Sequence, residues 1–166
     1  MNALTFWQIV SYFGDVQYWI GLTVAVLIIY PLISRKDKHK IAWIVLALLP
    51  AVLISHQIVS VLKDALAVPR PCVGELLCPQ SYSFPSGHAA VVFAFALVAS
   101  CMTRKRGLAF ILFVFAILVA ISRVVLNYHY IRDVVAGALV GLCIGFLFYR
   151  SYKQIHSFLE KKKLIP

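Results

Sequence analysis

Leu108 to Tyr149 reads LAFILFVFAILVAISRVVLNYHYIRDVVAGALVGLCIGFLFY, and its only charged residues, Arg123, Arg132 and Asp133, gather near its middle. About 20 predominantly apolar residues cross a bilayer as a helix. The stretch therefore predicts two spans, Leu108 to about Leu126 and Asp133 to about Tyr149, joined by a short polar link, Asn127–Arg132. Carried outward, the same reading predicts spans at Val16–Ile33, Ile41–Leu62 and His88–Met102. The breaks between them are polar: Arg35 to Lys40, the Pro-rich stretch Pro69 to Gly87, and Arg104 to Gly107. Met1 to Gly14 is uncharged and rich in large apolar residues, which predicts an interfacial helix leading into the first span. The expected fold class is all-α, a polytopic transmembrane helix bundle of about five spans plus that N-terminal helix. Residues 1–166 are expected to form one domain. The N-terminus shows no positively charged region and no small-residue cleavage site, so no signal peptide is expected.

Composition excludes most other classes. The 166 residues are 62% apolar and only 13% charged, with a mean hydropathy of +0.89. A soluble domain carries about 25% charged residues, and disorder needs low hydrophobicity. The net charge of +10 would suit a nucleic-acid binder, but the apolar excess opposes that, so membrane lipids are the expected surroundings and nucleic acid is not an expected partner.

The charges also predict orientation. Of 16 Lys and Arg, four lie between Arg35 and Lys40, three between Arg104 and Arg106, and five in the tail from Arg150 to Lys163. With five spans all of these share one side, which the positive-inside rule makes cytoplasmic. The expected location is the cell membrane, with the C-terminus cytoplasmic and the opposite face periplasmic or exterior. Lys63, Arg70, Arg123 and Arg132 fall on that opposite face, against the rule. An anion site would account for them; pairing with Asp64, Glu75 and Asp133, or contact with lipid headgroups, is the plainer alternative.

Three clusters lie at that face: Lys63-x6-Arg70-Pro71, Pro85-Ser86-Gly87-His88, and Ser122-Arg123-x5-His129-x3-Asp133. A phosphoryl group in transfer spreads charge over three oxygens, so its catalysis is mostly positioning and charge stabilisation. Arg70 and Arg123 can each fork onto two oxygens, and Lys63 adds a point charge. Ser86 and Gly87 open a helix, where free N–H groups and the dipole favour an anion. Gly87 also lets the backbone approach the oxygens closely. His129 and Asp133 share one face if their junction is helical. A carboxylate on one imidazole nitrogen fixes the tautomer and leaves the other nitrogen nucleophilic. His88, from another helix, is placed to protonate a leaving oxygen.

These clusters resemble the three signature motifs of the type 2 phosphatidic acid phosphatase (PAP2) superfamily, K-x6-RP, PSGH and SR-x5-H-x3-D, at every signature position and in order. The resemblance covers residues 60–135. It implies that His129 is the nucleophile forming a phosphohistidine, that Asp133 orients it, and that His88 is the general acid. Lys63, Arg70, Ser86, Gly87 and Arg123 are then the phosphate-binding residues. It implies no metal or other cofactor, and no Asp/Glu cluster or Cys/His set suggests one. One departure stands out: typical members have six spans and carry the first motif after the third, whereas here it follows the second. The substrate entrance is the feature this affects.

The expected function is a membrane phosphatase acting on a lipid phosphate or pyrophosphate of the undecaprenyl pyrophosphate or phosphatidylglycerophosphate type. A lipid A 1-phosphatase or phosphatidate phosphatase is the alternative. A vanadate-dependent haloperoxidase, which shares the constellation, is disfavoured by the spans. A non-catalytic transporter or assembly module is disfavoured by the intact His129 and Asp133. No obligate protein partner is inferred. Among other residues, His56 is expected to be a core histidine bonded to a neighbouring helix or water. Cys101 and Cys143 are expected to be apolar fillers, and Cys72 and Cys78 to pair if the compartment is oxidising. Arg132 reads equally as part of the phosphate clamp or as a headgroup contact.

Overall fold

The computed structural model describes residues 2–33, 38–76, 78–103 and 105–162. These form six helices and no strand: α1 (Ala3–Tyr12), α2 (Val16–Ile33), α3 (Lys38–Leu66), α4 (Gly87–Thr103), α5 (Arg106–Val125) and α6 (Ile131–Lys161). The all-α expectation holds, and α1 is the short helix anticipated ahead of the first long one. Among the described residues, Ala47–Leu66 of α3, α5 and α6 are long and apolar enough to cross a membrane, and α4 is apolar over 17 residues. Arg35, Lys36, Arg104 and Lys163, which contributed to the expected orientation, lie outside the described residues.

The last helix departs most from expectation. It runs 12 residues past Tyr149, because the tail contains neither Gly nor Pro before Lys161 and supports itself with an i,i+4 pair, His156 Nδ1 to Glu160 Oε1 at 3.3 Å. The helix α3 likewise starts three residues early and continues through Pro50.

The slim helix α4 stands at the centre, touching α3, α5 and α6. Its buried side chains are all Ala or Val: Ala89, Ala90, Val91, Val92, Ala94, Ala96 and Val98. Within lipid, apolar burial gains little, and close van der Waals packing holds helices together. The closest approach is to α6, where Gly137, Gly141 and Gly145 face Ser86, Ala90 and Ala94. A Cβ on Gly137 or Gly141 would land on the backbone oxygen of Ser86 or Ala90, closer than atoms come. This seam is anchored at the site end by the Ser86 N–H, which donates to the Asp133 backbone oxygen at 2.8 Å.

A tight turn joins α1 to α2. The Gly14 N–H donates to Ser11 O at 2.9 Å and the Asp15 N–H to Tyr12 O at 3.0 Å. The Asp15 carboxylate then accepts the Gln17 N–H at 3.3 Å, capping α2. The indole N–H of Trp19 donates to Phe13 O at 2.8 Å and fastens the turn to α2. Phe13 meets Phe115 edge to face, with centroids 5.7 Å apart, laying α1 against α5. Thus the C-termini of α3 and α5, the N-termini of α4 and α6, and the α1–α2 turn share one end of the bundle.

Candidate active site

The last turn of α3 and the 67–86 loop deliver the first two cations, Lys63 and Arg70. A left-handed Ala67 (φ 49°) ends α3, and a Cys72–Cys78 disulfide closes a small loop just beyond Arg70. The Arg70 guanidinium is fixed on three sides. Its Nε donates to Ser81 O at 2.6 Å, its Nη2 to Ser81 Oγ at 2.9 Å, and its Nη1 to Tyr128 O at 2.8 Å. Lys63 Nζ donates to Tyr82 O at 2.8 Å. A flexible loop would leave two long cationic side chains free to wander; here its own carbonyls aim them.

The link between α5 and α6 is compact for a similar reason. Asn127 adopts φ 57°, a left-handed conformation that Asn tolerates. The chain then folds back, and the N–H groups of Tyr128 and His129 both donate to Arg123 O, at 3.1 and 3.2 Å. The junction is not helical at His129, contrary to the condition set on its pairing. His129 precedes the helix, Tyr130 is its N-cap, and Asp133 is the third helical residue. The pairing survives because the Asp133 side chain reaches back. Its Oδ2 accepts the Tyr130 N–H at 3.0 Å and lies 3.5 Å from His129 Nδ1, an ion-pair contact longer than a good hydrogen bond.

On the other edge of the same imidazole, Nε2 lies 3.2 Å from Arg70 Nη1. A guanidinium nitrogen can only donate, so this contact places the lone pair on Nε2 and, in the neutral ring, the proton on Nδ1. His129 and Asp133 are 2% and 0% exposed. Burial first, then the positive charges of Arg70, Arg123 and Lys63, push the His129 imidazole down to about 2. It is therefore neutral at any physiological pH. Burial also lowers the Arg70 guanidinium from its usual range.

A cavity of about 300 Å³ gathers Lys63, Arg70, Gly87, His88, Arg123 and His129 in its wall. Six of the eight residues expected from the sequence thus meet in one space. The other two stand behind it. Asp133 touches the wall through His129, and Ser86 is fully buried, its hydroxyl lacking a hydrogen-bond partner. Arg123 Nε is likewise buried without a partner, while its Nη1 donates to Ser11 Oγ and its Cζ lies 4.7 Å from the centre of the Tyr128 ring. Buried polar atoms left unpaired mark where a ligand or ordered water supplies the missing bond.

Several wall or near-wall residues are not placed in the site by the sequence reading. Ser11, Gly14 and Asp15 come from the α1–α2 turn, and no spacing rule ties them to the motifs. His56, expected to be a core histidine bonded to a neighbouring helix or water, lines the cavity. Its separation of seven residues from Lys63, two helical turns, was the available signal. Arg132 is exposed, its Cζ 5.2 Å from the Tyr130 ring centre and its Nε 3.7 Å from Asp133 Oδ1; it is absent from the wall. Cys101 is half-buried and Cys143 is exposed, and both are free thiols.

Comparison with known proteins agrees with this architecture. Dolichyldiphosphatase 1 of Dictyostelium discoideum is 32% identical over 141 residues, covering 78% of this chain and 59% of that protein. The undecaprenyl-diphosphatase of Sulfolobus acidocaldarius is 32% identical over 139 residues, covering 82% and 65%. The chain thus spans less than two-thirds of the length of either relative. The crystal structure of a transmembrane PAP2-type phosphatidylglycerolphosphate phosphatase from Bacillus subtilis superposes with a TM-score of 0.76 at 25% identity, covering 92% of this chain and 77% of that one. The pattern that defines the PAP2 superfamily matches residues 41–157. This stretch is well over half of the chain and holds all three motif clusters, and the chain belongs to the PAP2 superfamily.

Proposed function

We propose that this protein is a membrane lipid phosphatase that removes the terminal phosphate of a lipid phosphate or diphosphate through a phosphohistidine at His129. The observation that carries this reading is a buried, neutral imidazole held between two partners. Its Nε2 is beside Arg70 and its Nδ1 beside Asp133, in one cavity with His88, Lys63 and Arg123. Arg70 Nη1 stands next to the attacking nitrogen; a phosphoryl oxygen that takes over this donor frees the Nε2 lone pair and sets the phosphorus beside it. Nε2 bonds to phosphorus as the phosphorus–oxygen bond to the lipid breaks, and His88 gives the leaving oxygen its proton. Water then attacks the phosphorus, its proton passes to His88, and the phosphorus–nitrogen bond breaks to release inorganic phosphate. Asp133 steadies the positive charge that develops on the ring. Lys63, Arg70, Arg123, the Ser86 hydroxyl and the Gly87 N–H offset the charge on the three equatorial oxygens.

A lipid substrate is supported by what adjoins the cavity. An apolar groove of about 690 Å³ between α1 and α2, lined by Tyr12, Phe13, Tyr18, Trp19 and Leu22, shares Asp15 with the phosphate cavity. A tail lying there would remain in the bilayer while its phosphate turned inward. The two relatives described above are named as polyprenyl diphosphatases, which favours a polyprenyl diphosphate. The B. subtilis structure is named as a phosphatidylglycerolphosphate phosphatase, which makes a glycerolipid phosphate the second reading. The chain itself is read as five spans in the cell membrane, with the cavity periplasmic or exterior and the C-terminus cytoplasmic.

The test is phosphate release by the purified protein from undecaprenyl pyrophosphate, phosphatidylglycerophosphate, lipid A 1-phosphate and phosphatidate. At least one should be turned over, with an acid-labile phosphoenzyme that vanishes in His129→Ala. That variant should lose several powers of ten in rate. Retention of more than about a hundredth of the wild-type rate would assign the nucleophile elsewhere.

A further inference from the structure

We infer that Ser11 is a positioning residue for phosphate binding: its hydroxyl takes the Nη1 proton of Arg123 and turns the Nε edge of that guanidinium toward the phosphate cavity. This inference rests on the phosphatase reading above. Ser11 lies 112 residues from Arg123 in sequence, outside every motif, yet it is buried at 5% exposure and directly bonded to it.

The geometry of a guanidinium gives the contact its meaning. Nε and Nη2 form one edge, and that edge meets two oxygens of a phosphate at once. Nη1 points elsewhere. With Nη1 bonded to Ser11 Oγ, and the flat face covered by Tyr128 with Cζ 4.7 Å from the ring centre, rotation of the head group is blocked. Nε is the atom left buried without a protein partner. The other two cations in the wall, Lys63 and Arg70, are held by the carbonyls of Tyr82, Ser81 and Tyr128 and by the Ser81 hydroxyl. Arg123 has no such carbonyl on Nη1, and Ser11 fills that role from the other end of the chain. A hydroxyl suits the task because it accepts the bond without adding a negative charge that would compete with phosphate.

A merely structural role, in which Ser11 only holds α1 against α5, makes different predictions. The test compares Ser11→Ala, Ser11→Cys, Arg123→Lys and the Ser11→Ala/Arg123→Lys double variant in detergent. Readouts are kcat/KM on a turned-over lipid phosphate, the inhibition constant of vanadate, and the melting temperature. Cysteine keeps the branching of serine with a slightly larger atom that accepts hydrogen bonds weakly, so it separates a filled site from a bonded one if Ser11→Ala folds poorly. The expected result is a roughly tenfold loss in kcat/KM for both single Ser11 variants, with vanadate inhibition weakened in parallel. The melting temperature of Ser11→Cys should stay at the wild-type value. In the Arg123→Lys background, removing the Ser11 hydroxyl should cost little further, since the forked edge it orients is already gone. Full activity and unchanged vanadate inhibition in Ser11→Cys would overturn the inference, as would losses that multiply in the double variant. A wild-type protein inactive on every lipid phosphate would instead overturn the phosphatase reading itself.

Discussion

An imidazole attacks phosphorus only through an unprotonated nitrogen, and His129 is kept in that state by its surroundings. Its folded pKa of about 2 lies far below the ordinary 6.5. Between those values the unfolded chain binds a proton that the folded chain refuses. The contribution to stability is therefore complete above about pH 6.5 and is lost as pH falls toward 2. Replacement of His129 by Gln should flatten the fall in melting temperature between pH 7 and pH 4, measured in detergent. The kinetic counterpart is an acid limb of kcat/KM that belongs to the substrate, whose second phosphate ionisation lies near pH 6. Substrates with different phosphate pKa values should move that limb. A limb fixed at pH 6.5 for all of them would mean that a histidine of ordinary pKa titrates in the free enzyme.

At the scale of elements, two glycines report on how helices meet. A Cβ at Gly14 would sit 2.5 Å from Cδ2 and 2.7 Å from Cβ of His88. The Cβ of His88 cannot swing away as a ring tip can, so Gly14→Ala must displace the whole residue. A displacement near 1 Å costs about a hundredfold in rate, and kcat should fall by that order. The defect should be smaller on an aryl phosphate, whose leaving group needs less protonation, and absent in Gly107→Ala, where a Cβ meets nothing within 4 Å. Gly141→Ala should act through packing instead, lowering stability by about 1–3 kcal/mol, read as a drop in melting temperature. These two positions also show what the sequence discloses. The motif residues are legible because phosphate chemistry demands particular side chains at fixed spacings. The helices are legible because lipid demands long apolar runs. Gly137, Gly141 and Gly145 carry a readable four-residue period, although only its fit against Ala90 and Ala94 shows what it is for. Ser11 and Gly14 are illegible, since their roles arise from a turn folding onto residues a hundred or seventy positions away.

For the molecule as a whole, the cavity and the basic tail lie at opposite ends of the helices, which makes sidedness measurable. Val73, 69% exposed in the loop beyond Arg70, should react as a single Cys with a membrane-impermeant thiol reagent in intact cells, in a chain whose four native cysteines are replaced. A reporter fused after Pro166 should behave as cytoplasmic. Labelling at residue 73 only after permeabilisation would invert the topology and remove outer-leaflet lipids from consideration. The glycine seam between α4 and α6 also bears on how the protein is made. His129 leaves the ribosome while Asp133 and the seam are still to come, and the Ser86 N–H finds its acceptor only when α6 slides home. A nascent chain halted before Ile131 already holds His88, His129, Lys63, Arg70 and Arg123 but lacks Asp133, and on the proposed reading it should be inert. On the proposed reading, insertion of the final helix switches phosphate release on, and the onset of that release would time its arrival.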